Sequence, residues 1–152
     1  MIVDTSALVA IINLELDGPL YEGAIEASRV NRISAATYLE VSIVIDRSRD
    51  PMVSRRVDEI LSVGKFVIEP VTETQARIAR EAYRDFGKGS GHRAGLNYGD
   101  CFAYALAKER DEPLLFKGDD FRHTDIRFVG EPSERRRLHE LWTKYGTDPI
   151  SG

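Results

Sequence analysis

The 152-residue chain contains one cysteine, Cys101, and only three histidines. A single cysteine excludes an internal disulfide framework and a zinc site built from several thiolates. The histidines, His92, His123 and His139, do not have the spacing of zinc ligands. Cys101 lies in an apolar predicted helix, so we expect a buried structural thiol and not a nucleophile.

The sequence also lacks the long apolar runs of membrane proteins, since none approaches the ~20 residues needed to span a bilayer. An acid, Asp4, follows Met1-Ile2-Val3 directly, which is not the pattern of a secretory signal. We therefore expect a cytoplasmic protein without membrane contact. The glycines of residues 87–91 lack P-loop spacing and follow a predicted helix, which argues against a kinase or dehydrogenase.

A basic excess is missing as well. The chain has 21 Lys and Arg against 25 Asp and Glu, a formal net charge of −4. Proteins that bind nucleic acid through its phosphates are usually basic. The composition alone therefore argues against a nucleic-acid partner, unless the acidic residues are concentrated in one place.

What the chain does contain is an alternation of strand and helix patterns. Its length suits one domain. Short apolar segments alternate with amphipathic ones, which predicts an α/β fold of three layers, α/β/α, around a mostly parallel sheet. The predicted strands are 1–4, 31–34, 66–71, 113–116 and 126–129. The first predicted helix begins after Thr5-Ser6, and another begins at Pro51. The remaining predicted helices cover residues 20–29, 35–48, 72–86 and 98–110, and a glycine-rich loop is predicted over 87–95.

Residues 131–152 have a different composition. A charged helix is predicted from Pro132-Ser133, with one apolar stripe of Leu138, Leu141, Trp142 and Tyr145. We therefore divide the chain into a domain of residues 1–130 and a helical extension of residues 131–152. The stripe either packs onto the domain or contacts a partner.

Carboxylates occur where the predicted sheet ends. Asp4 ends the first strand, and Asp119 and Asp120 follow the strand over 113–116. Glu40 and Asp100 lie on predicted helices among apolar residues. Ligands of open parallel sheets bind at the carboxyl ends of strands, and converging carboxylates repel one another unless a cation is present. The set predicts a Mg²⁺ or Mn²⁺ site, for which phosphodiester hydrolysis is the natural chemistry.

Each acid also has a simpler interpretation. Asp100 could be a first-turn acid of its helix, and Asp119-Asp120 could form a turn. Glu40 could face solvent, because the helical pattern does not fix its side. Asp4 is the hardest to explain in this way, because a carboxylate directly after a buried strand needs a counter-charge or hydrogen bonds.

Four segments, in this order, resemble the PIN domain, and specifically the VapC-type toxin ribonucleases of bacterial toxin–antitoxin pairs. They are 1–7 (MIVDTSA), 34–40 (SAATYLE), 96–107 (LNYGDCFAYALA) and 113–126 (PLLFKGDDFRHTDI). Together they cover about residues 1–130. The resemblance implies metal-dependent endonucleolytic cleavage of RNA with Mg²⁺ or Mn²⁺, a metal-bound water as nucleophile, and a PIN-like nuclease fold.

The resemblance also implies roles for individual residues. Asp4 and Asp100 would be the main metal ligands, and Glu40 would complete the acidic pocket. Asp119 is slightly favoured over Asp120 as the fourth acid. Either Thr5 or Ser6 would hold a carboxylate or water by a hydrogen bond. The implied partners are RNA, a cognate antitoxin and a second copy in a homodimer, or a hetero-oligomer with the antitoxin.

Basic residues near these motifs are candidate RNA contacts. Lys88, His92 and Arg93 lie on the glycine-rich loop, where the backbone can approach a ligand closely, and Arg122 follows the fourth acid. The alternative for all four is ordinary solvated charge.

Two other functions are compatible with parts of the sequence. A phosphatase with Asp4 as covalent nucleophile would need a second Asp two residues later, where this chain has Ser6. A non-catalytic PIN-like module that binds RNA or protein would be expected to have lost acidic positions, and all four are present here.

The charge count now has a different meaning. Setting aside the five acids of the proposed pocket leaves 20 acidic residues against 21 basic ones. The acidity is then largely local, and a bound divalent ion would turn that pocket from repelling phosphate to attracting it. We expect RNA binding near the pocket to depend on the divalent ion.

Overall fold

The computed structural model describes residues 1–130, which form four strands and six α-helices. In chain order these are β1 (Ile2–Val3), α1 (Thr5–Ile12), α2 (Gly18–Ala27), β2 (Asn31–Ser34), α3 (Ala35–Asp46), α4 (Pro51–Val63), β3 (Phe66–Glu69), α5 (Glu73–Phe86), α6 (Tyr98–Arg110) and β4 (Leu114–Leu115). A 3-10 turn over Asp120–His123 follows β4. The predicted extension over 131–152, its helix and its apolar stripe lie outside the described residues.

The four strands form one sheet in the order β3-β2-β1-β4, and all neighbours are parallel. The prediction of a mostly parallel sheet is confirmed. The predicted strand over 126–129 is wrong, because Phe128 makes only an isolated bridge to Leu114. The segment bonds to β4 only at Leu114, whose N–H donates to the Arg127 carbonyl and whose carbonyl accepts from the Val129 N–H.

Two other element boundaries differ from the predicted ones, each for a local reason. The helix predicted from residue 20 begins at Gly18, because proline is tolerated in the first helical turn and Pro19 occupies that position. The strand predicted over 66–71 ends at Glu69, directly before Pro70, which cannot donate to a ladder.

Alternating side chains of the sheet face two separate hydrophobic clusters. Val3, Ile33 and Leu115 pack with residues of α1 to α4 on one face. Ile2, Leu114 and other residues pack with α5 and α6 on the opposite face. The predicted α/β/α layering is therefore present, and β1, β2 and β4 are largely buried, as expected for a parallel sheet, while Val67 and Ile68 of the edge strand β3 are exposed.

The order of the strands fixes where a site can form. The chain moves from β1 to β2 and β3 on one side and then crosses to β4 on the other side of β1. The sheet therefore has its topological switch point between β1 and β4, where ligands of open α/β sheets bind at the carboxyl edge. Asp4 stands at that place.

An ion-pair network links the strands of the sheet. The Arg32 side chain contacts Glu69 at 2.8 Å and Glu112 at 2.9 Å, and the amino group of Met1 lies 3.1 Å from Glu112. These groups are on β2, the end of β3, the start of β1 and the segment before β4, so the network connects all four strands. None of the helices in residues 1–130 combines the length and apolar composition that crossing a membrane requires.

Candidate active site

Asp4 caps the helix that follows its strand. It is the N-cap of α1, where the sequence pattern suggested Thr5-Ser6, and its side chain is 3% exposed. Its Oδ2 accepts hydrogen bonds from the Ser6 backbone N–H at 3.0 Å and from Ser6 Oγ at 2.7 Å. Ser6 Oγ in turn accepts a hydrogen bond from the Lys117 backbone N–H at 2.9 Å. The Ser6 hydroxyl therefore connects the chain after β4 to the carboxylate after β1.

Burial raises the pKa of the Asp4 carboxyl above its ordinary value. The hydrogen bonds from Ser6 act in the opposite direction, and the nearby charge of Glu40 raises the pKa further. The Asp4 carboxylate is therefore buried, and only a few local hydrogen-bond donors stabilise its ionised form.

Glu40 lies between the first turns of two other helices. It is on α3, and its Oε2 accepts a hydrogen bond of 2.6 Å from Thr5 Oγ1 at the start of α1. Its carboxylate also lies against Gly99 in the first turn of α6. The first turn of a helix carries a partial positive charge that favours anions. The neighbouring residues Thr5 and Ser6 thus bind different carboxylates: Thr5 donates to Glu40 and Ser6 donates to Asp4.

Asp100 has two roles at once. It is the third residue of α6 and forms a capping box, in which the Asp100 N–H donates to Asn97 Oδ1 at 2.9 Å and Asp100 Oδ2 accepts from the Asn97 N–H at 2.8 Å. Burial raises the pKa of Asp100 to about 7, and the charges of Asp4, Asp120 and Glu40 add to this effect. Asp100 is therefore a capping residue of α6 and also a member of a group of electrostatically interacting acids.

The two candidates for the fourth acid occupy different surroundings. The Asp119 side chain is 79% exposed, and its Oδ1 lies 3.6 Å from Arg122 Nε. Asp120 is exposed as well, but its charge contributes to the raised pKa of Asp100. The electrostatic interaction with the acidic cluster therefore involves Asp120, although the sequence slightly favoured Asp119.

The acids of this cluster have no cationic partner among residues 1–130. No lysine or arginine in that range forms an ion pair with Asp4, Glu40 or Asp100. Lys117 follows β4 but pairs with Glu15 and, at 2.9 Å, with Asp17. In the same range no three His, Cys, Asp or Glu side chains converge closely enough to hold a metal ion by themselves. The cluster offers hard oxygen donors, few in number, and an unbalanced negative charge.

The predicted RNA contacts of the glycine-rich loop are at the surface. Lys88, His92 and Arg93 are exposed. The loop is closed at its base, because the Lys88 N–H donates to the Leu96 carbonyl and the Leu96 N–H donates to the Phe86 carbonyl, each at 2.9 Å. The His92 ring packs edge-on against Phe86, with ring centroids 5.0 Å apart. The RNA contacts of these residues and of Arg122 stay predictions.

An apolar groove beside the acids was not predicted. The sequence pattern places Leu39, Ile43 and Val44 on one side of the third predicted helix. The structure instead buries Thr37, Val41 and Ile45, which follow one another at intervals of four. Leu39, Ile43, Val44, Tyr98 and Phe102 line a shallow groove between α3 and α6, together with Glu40 and Gly99. Leu39 is 58% exposed and Tyr98 is 78% exposed.

Two backbone features of the site were also missed by sequence reasoning. Neither the hydrogen bond from the Lys117 N–H to Ser6 nor the packing of Glu40 on Gly99 has a signature in composition or spacing. The only sequence signal for Gly99 is its position, directly before the third acid in the first turn of a predicted helix.

Comparison with known proteins relates this arrangement to one family. The model of the PIN domain family matches residues 1–127. Ribonuclease VapC28 of Mycobacterium tuberculosis is 59% identical over 126 residues, which is 83% of this chain and 95% of that protein. Ribonuclease VapC42 of the same species is 50% identical over 127 residues, 84% of this chain and 97% of that protein.

Solved structures agree with the fold. The crystal structure of Mycobacterium tuberculosis VapC20, described as a toxin that cleaves the sarcin-ricin loop, superposes with a TM-score of 0.67 at 16% identity, over 86% of this chain and 98% of that one. FitAcB from Neisseria gonorrhoeae superposes with a TM-score of 0.62 at 16% identity, over 85% and 96%. Both comparisons concern the fold alone at this level of identity.

The raised pKa of Asp100 predicts how stability depends on pH in metal-free protein. Because its pKa is about 7 in the folded state and near 3.8 in the unfolded state, the folded state binds the proton more tightly between these values. The free energy of unfolding should therefore fall as pH rises from about 5 to 8. Urea unfolding in chelator at both pH values measures this change, which we expect to be about 1–2 kcal/mol after solvent screening.

The control for this experiment is Asp100→Asn, which keeps an oxygen acceptor for the Asn97 N–H. Its stability should depend less on pH between 5 and 8 than that of the parent protein. An equal dependence in both proteins would show that Asp100 is not the group responsible.

Asp119→Asn and Asp120→Asn form a matched pair that identifies the acid in contact with the cluster. Asp120→Asn should lower the pKa of Asp100, because it removes one of the charges that raise it. Asp119→Asn should leave it unchanged, since Asp119 is exposed and faces Arg122. Titration of the Asp100 carboxyl carbon by NMR measures both, and a larger effect of Asp119→Asn would reverse the assignment.

Proposed function

Since this chain belongs to the PIN domain family and is a VapC-type ribonuclease, we propose that it hydrolyses RNA phosphodiester bonds at the acidic cluster with the help of Mg²⁺ or Mn²⁺. The observation that supports this most is the electrostatic interaction among Asp4, Glu40 and Asp100 near the switch point of the sheet, with the pKa of Asp100 raised to about 7. Such a cluster is unfavourable in the absence of a cation.

The donor set fits a hard divalent ion. Mg²⁺ is usually bound through one or two carboxylates and keeps several waters, so it does not require three converging side chains, of which residues 1–130 hold none. Asp4 and Asp100 would hold the ion, because they are the two acids whose pKa burial raises. When bound, the ion supplies water activation and neutralises the charge that develops on the phosphate.

The surrounding residues would keep these ligands in place. Ser6 fixes Oδ2 of Asp4 with two hydrogen bonds, and the capping box fixes Oδ2 of Asp100. Glu40, held by Thr5, would complete the acidic pocket and accept a proton or a water hydrogen bond. As the fourth acid we propose Asp120, because its charge interacts with Asp100, while Asp119 would remain at the surface.

The RNA backbone would approach this edge from the side of the glycine-rich loop. Lys88 and Arg93 are exposed cations on that loop, His92 lies between them on the Phe86 ring, and Arg122 follows the fourth acid. RNA-specific binding relies mostly on phosphates and unstacked bases. These residues would bind phosphates next to a pocket that attracts RNA only when the ion is present.

Replacing either principal ligand should abolish cleavage. For Asp4→Asn and Asp100→Asn we expect kcat to fall by at least about a hundredfold with Mn²⁺ or Mg²⁺, because each change removes a charge that holds the ion. The measurement is cleavage of a defined RNA followed on denaturing gels, with a chelator arm in which the parent protein is also inactive.

Asp58→Asn is the matched control, because Asp58 is an exposed acid on α4, on no part of the site. It should cleave at the parental rate. Undiminished cleavage by both Asp4→Asn and Asp100→Asn would refute the assignment of the site.

Membership of the VapC-type family implies an antitoxin partner in addition to RNA. We propose that the partner is a cognate antitoxin protein and that this chain also forms a homodimer, alone or within a hetero-oligomer with the antitoxin. The surface that supports a homodimer is the groove of Leu39, Ile43, Val44, Tyr98 and Phe102. Contiguous exposed apolar surface of this kind is typical of protein interfaces.

A charge placed in this groove should separate the two copies. Ile43→Glu is expected to shift the mass in solution, measured by light scattering, from a dimer to the 17.1 kDa of one chain. Met52→Glu places the same charge at an exposed apolar residue of α4 and should leave the dimer intact. A parent protein that is monomeric would contradict the homodimer, and a dimeric Ile43→Glu variant would place the interface elsewhere.

A further inference from the structure

Gly99 is a glycine in a helix that has no conformational need for one. It is the second residue of α6, and its φ is not in the left-handed region. Alanine is the better helix former at such a position, and glycine there reduces helix stability. The reason for glycine must therefore lie in what surrounds it.

The neighbour that excludes a larger residue is Glu40. A β-carbon placed on Gly99 would overlap Glu40 Oε1 and would lie 2.7 Å from the carboxyl carbon and 2.8 Å from Oε2. These separations are shorter than non-bonded atoms allow, and the three nearest atoms all belong to this one carboxylate. No other side chain within residues 1–130 is closer to that position.

The opposite side of the same carboxylate is held by a hydrogen bond. Thr5 Oγ1 donates to Glu40 Oε2 at 2.6 Å. A shift of the Glu40 carboxylate away from α6 would therefore change this hydrogen bond unless Thr5 moves with it. The carboxylate therefore contacts a hydroxyl on α1 on one side and the bare Cα of Gly99 on α6 on the other, while Glu40 also lines the groove.

We propose that Gly99 is a positioning residue, whose missing side chain creates the space in which Glu40 reaches the acidic site beside Asp100. A methyl group at residue 99 would displace Glu40 away from the first turn of α6. This inference rests on the proposed function only in taking Glu40 as part of the site for a divalent ion. The contact itself concerns the fold and can be tested independently.

A double-mutant cycle separates this role from an effect on the helix. The proteins are the parent, Gly99→Ala, Glu40→Ala and the double variant, and the first readout is Tm in chelator. Gly99→Ala should lower Tm in the parent background, because the methyl group meets Glu40. In the Glu40→Ala background the same change should leave Tm unchanged or raise it, because the obstacle is gone and alanine favours the helix.

Gly23→Ala is the control for alanine in a helix without a steric obstacle, since no atom lies within 4 Å of a β-carbon built on Gly23 of α2. It should leave Tm unchanged or raise it. Glu40→Asp combined with Gly99→Ala should recover part of the lost Tm, because the shorter side chain withdraws the carboxylate from the methyl group.

The second readout is Mn²⁺ binding by calorimetry. Changes in residues that orient metal ligands commonly weaken binding by 10–100-fold, and we expect Gly99→Ala to weaken it about tenfold while Gly23→Ala has no effect. An equal fall in Tm in both backgrounds, or parental Tm and Mn²⁺ affinity in Gly99→Ala, would overturn the proposal. If the parent neither binds Mn²⁺ nor cleaves RNA, the proposed function fails, and the Tm cycle still decides whether Gly99 holds Glu40.

Discussion

The burial of Asp4 is the constraint on which the site depends. A carboxylate that follows a fully buried strand cannot reach solvent, and only a few donors surround it. Ser6 provides two of them and is itself fixed by the backbone of Lys117. The position of the first acid therefore depends on the ladder between β1 and β4. The ion pairs of Arg32 join β2 to the end of β3 and to the segment before β4 in the same sheet.

The other acids are placed by helix starts. Asp100 is oriented by the capping box of α6, and Glu40 meets the first turns of α1 and α6. Helix N-termini offer partial positive charge and free N–H groups, so they lower the cost of collecting carboxylates without neutralising them. The negative charge that remains uncompensated contributes, together with burial, to the pKa of Asp100, which is raised to about 7. No lysine or arginine of residues 1–130 forms an ion pair with Asp4, Glu40 or Asp100 to balance this charge.

Much of this could be predicted from the sequence, because the determining patterns are local. Strand and helix periodicity predicts the layers, and Asp4 and Asp100 are recognisable by their positions at the end of a strand and the start of a helix. The predictions that were wrong concern features that tertiary contacts determine. The strand over 126–129 has the composition of a strand but meets a partner of two residues. α3 is apolar on more than one side, so its buried face, with Thr37, Val41 and Ile45, could not be identified from hydrophobicity.

The exposed face of α3 places the apolar groove directly beside the acidic cluster. Glu40 lines both the acidic cluster and the apolar groove, and Tyr98 and Gly99 border the groove within the first turn of α6. Any protein that covers this groove would desolvate the side of Glu40 that Thr5 does not cover. Desolvation disfavours a charged carboxylate unless a cation is near. Binding of a protein at the groove should therefore strengthen binding of a divalent ion at the acidic cluster, and binding of the ion should strengthen binding of the protein. By linkage, the same coupling acts in both directions.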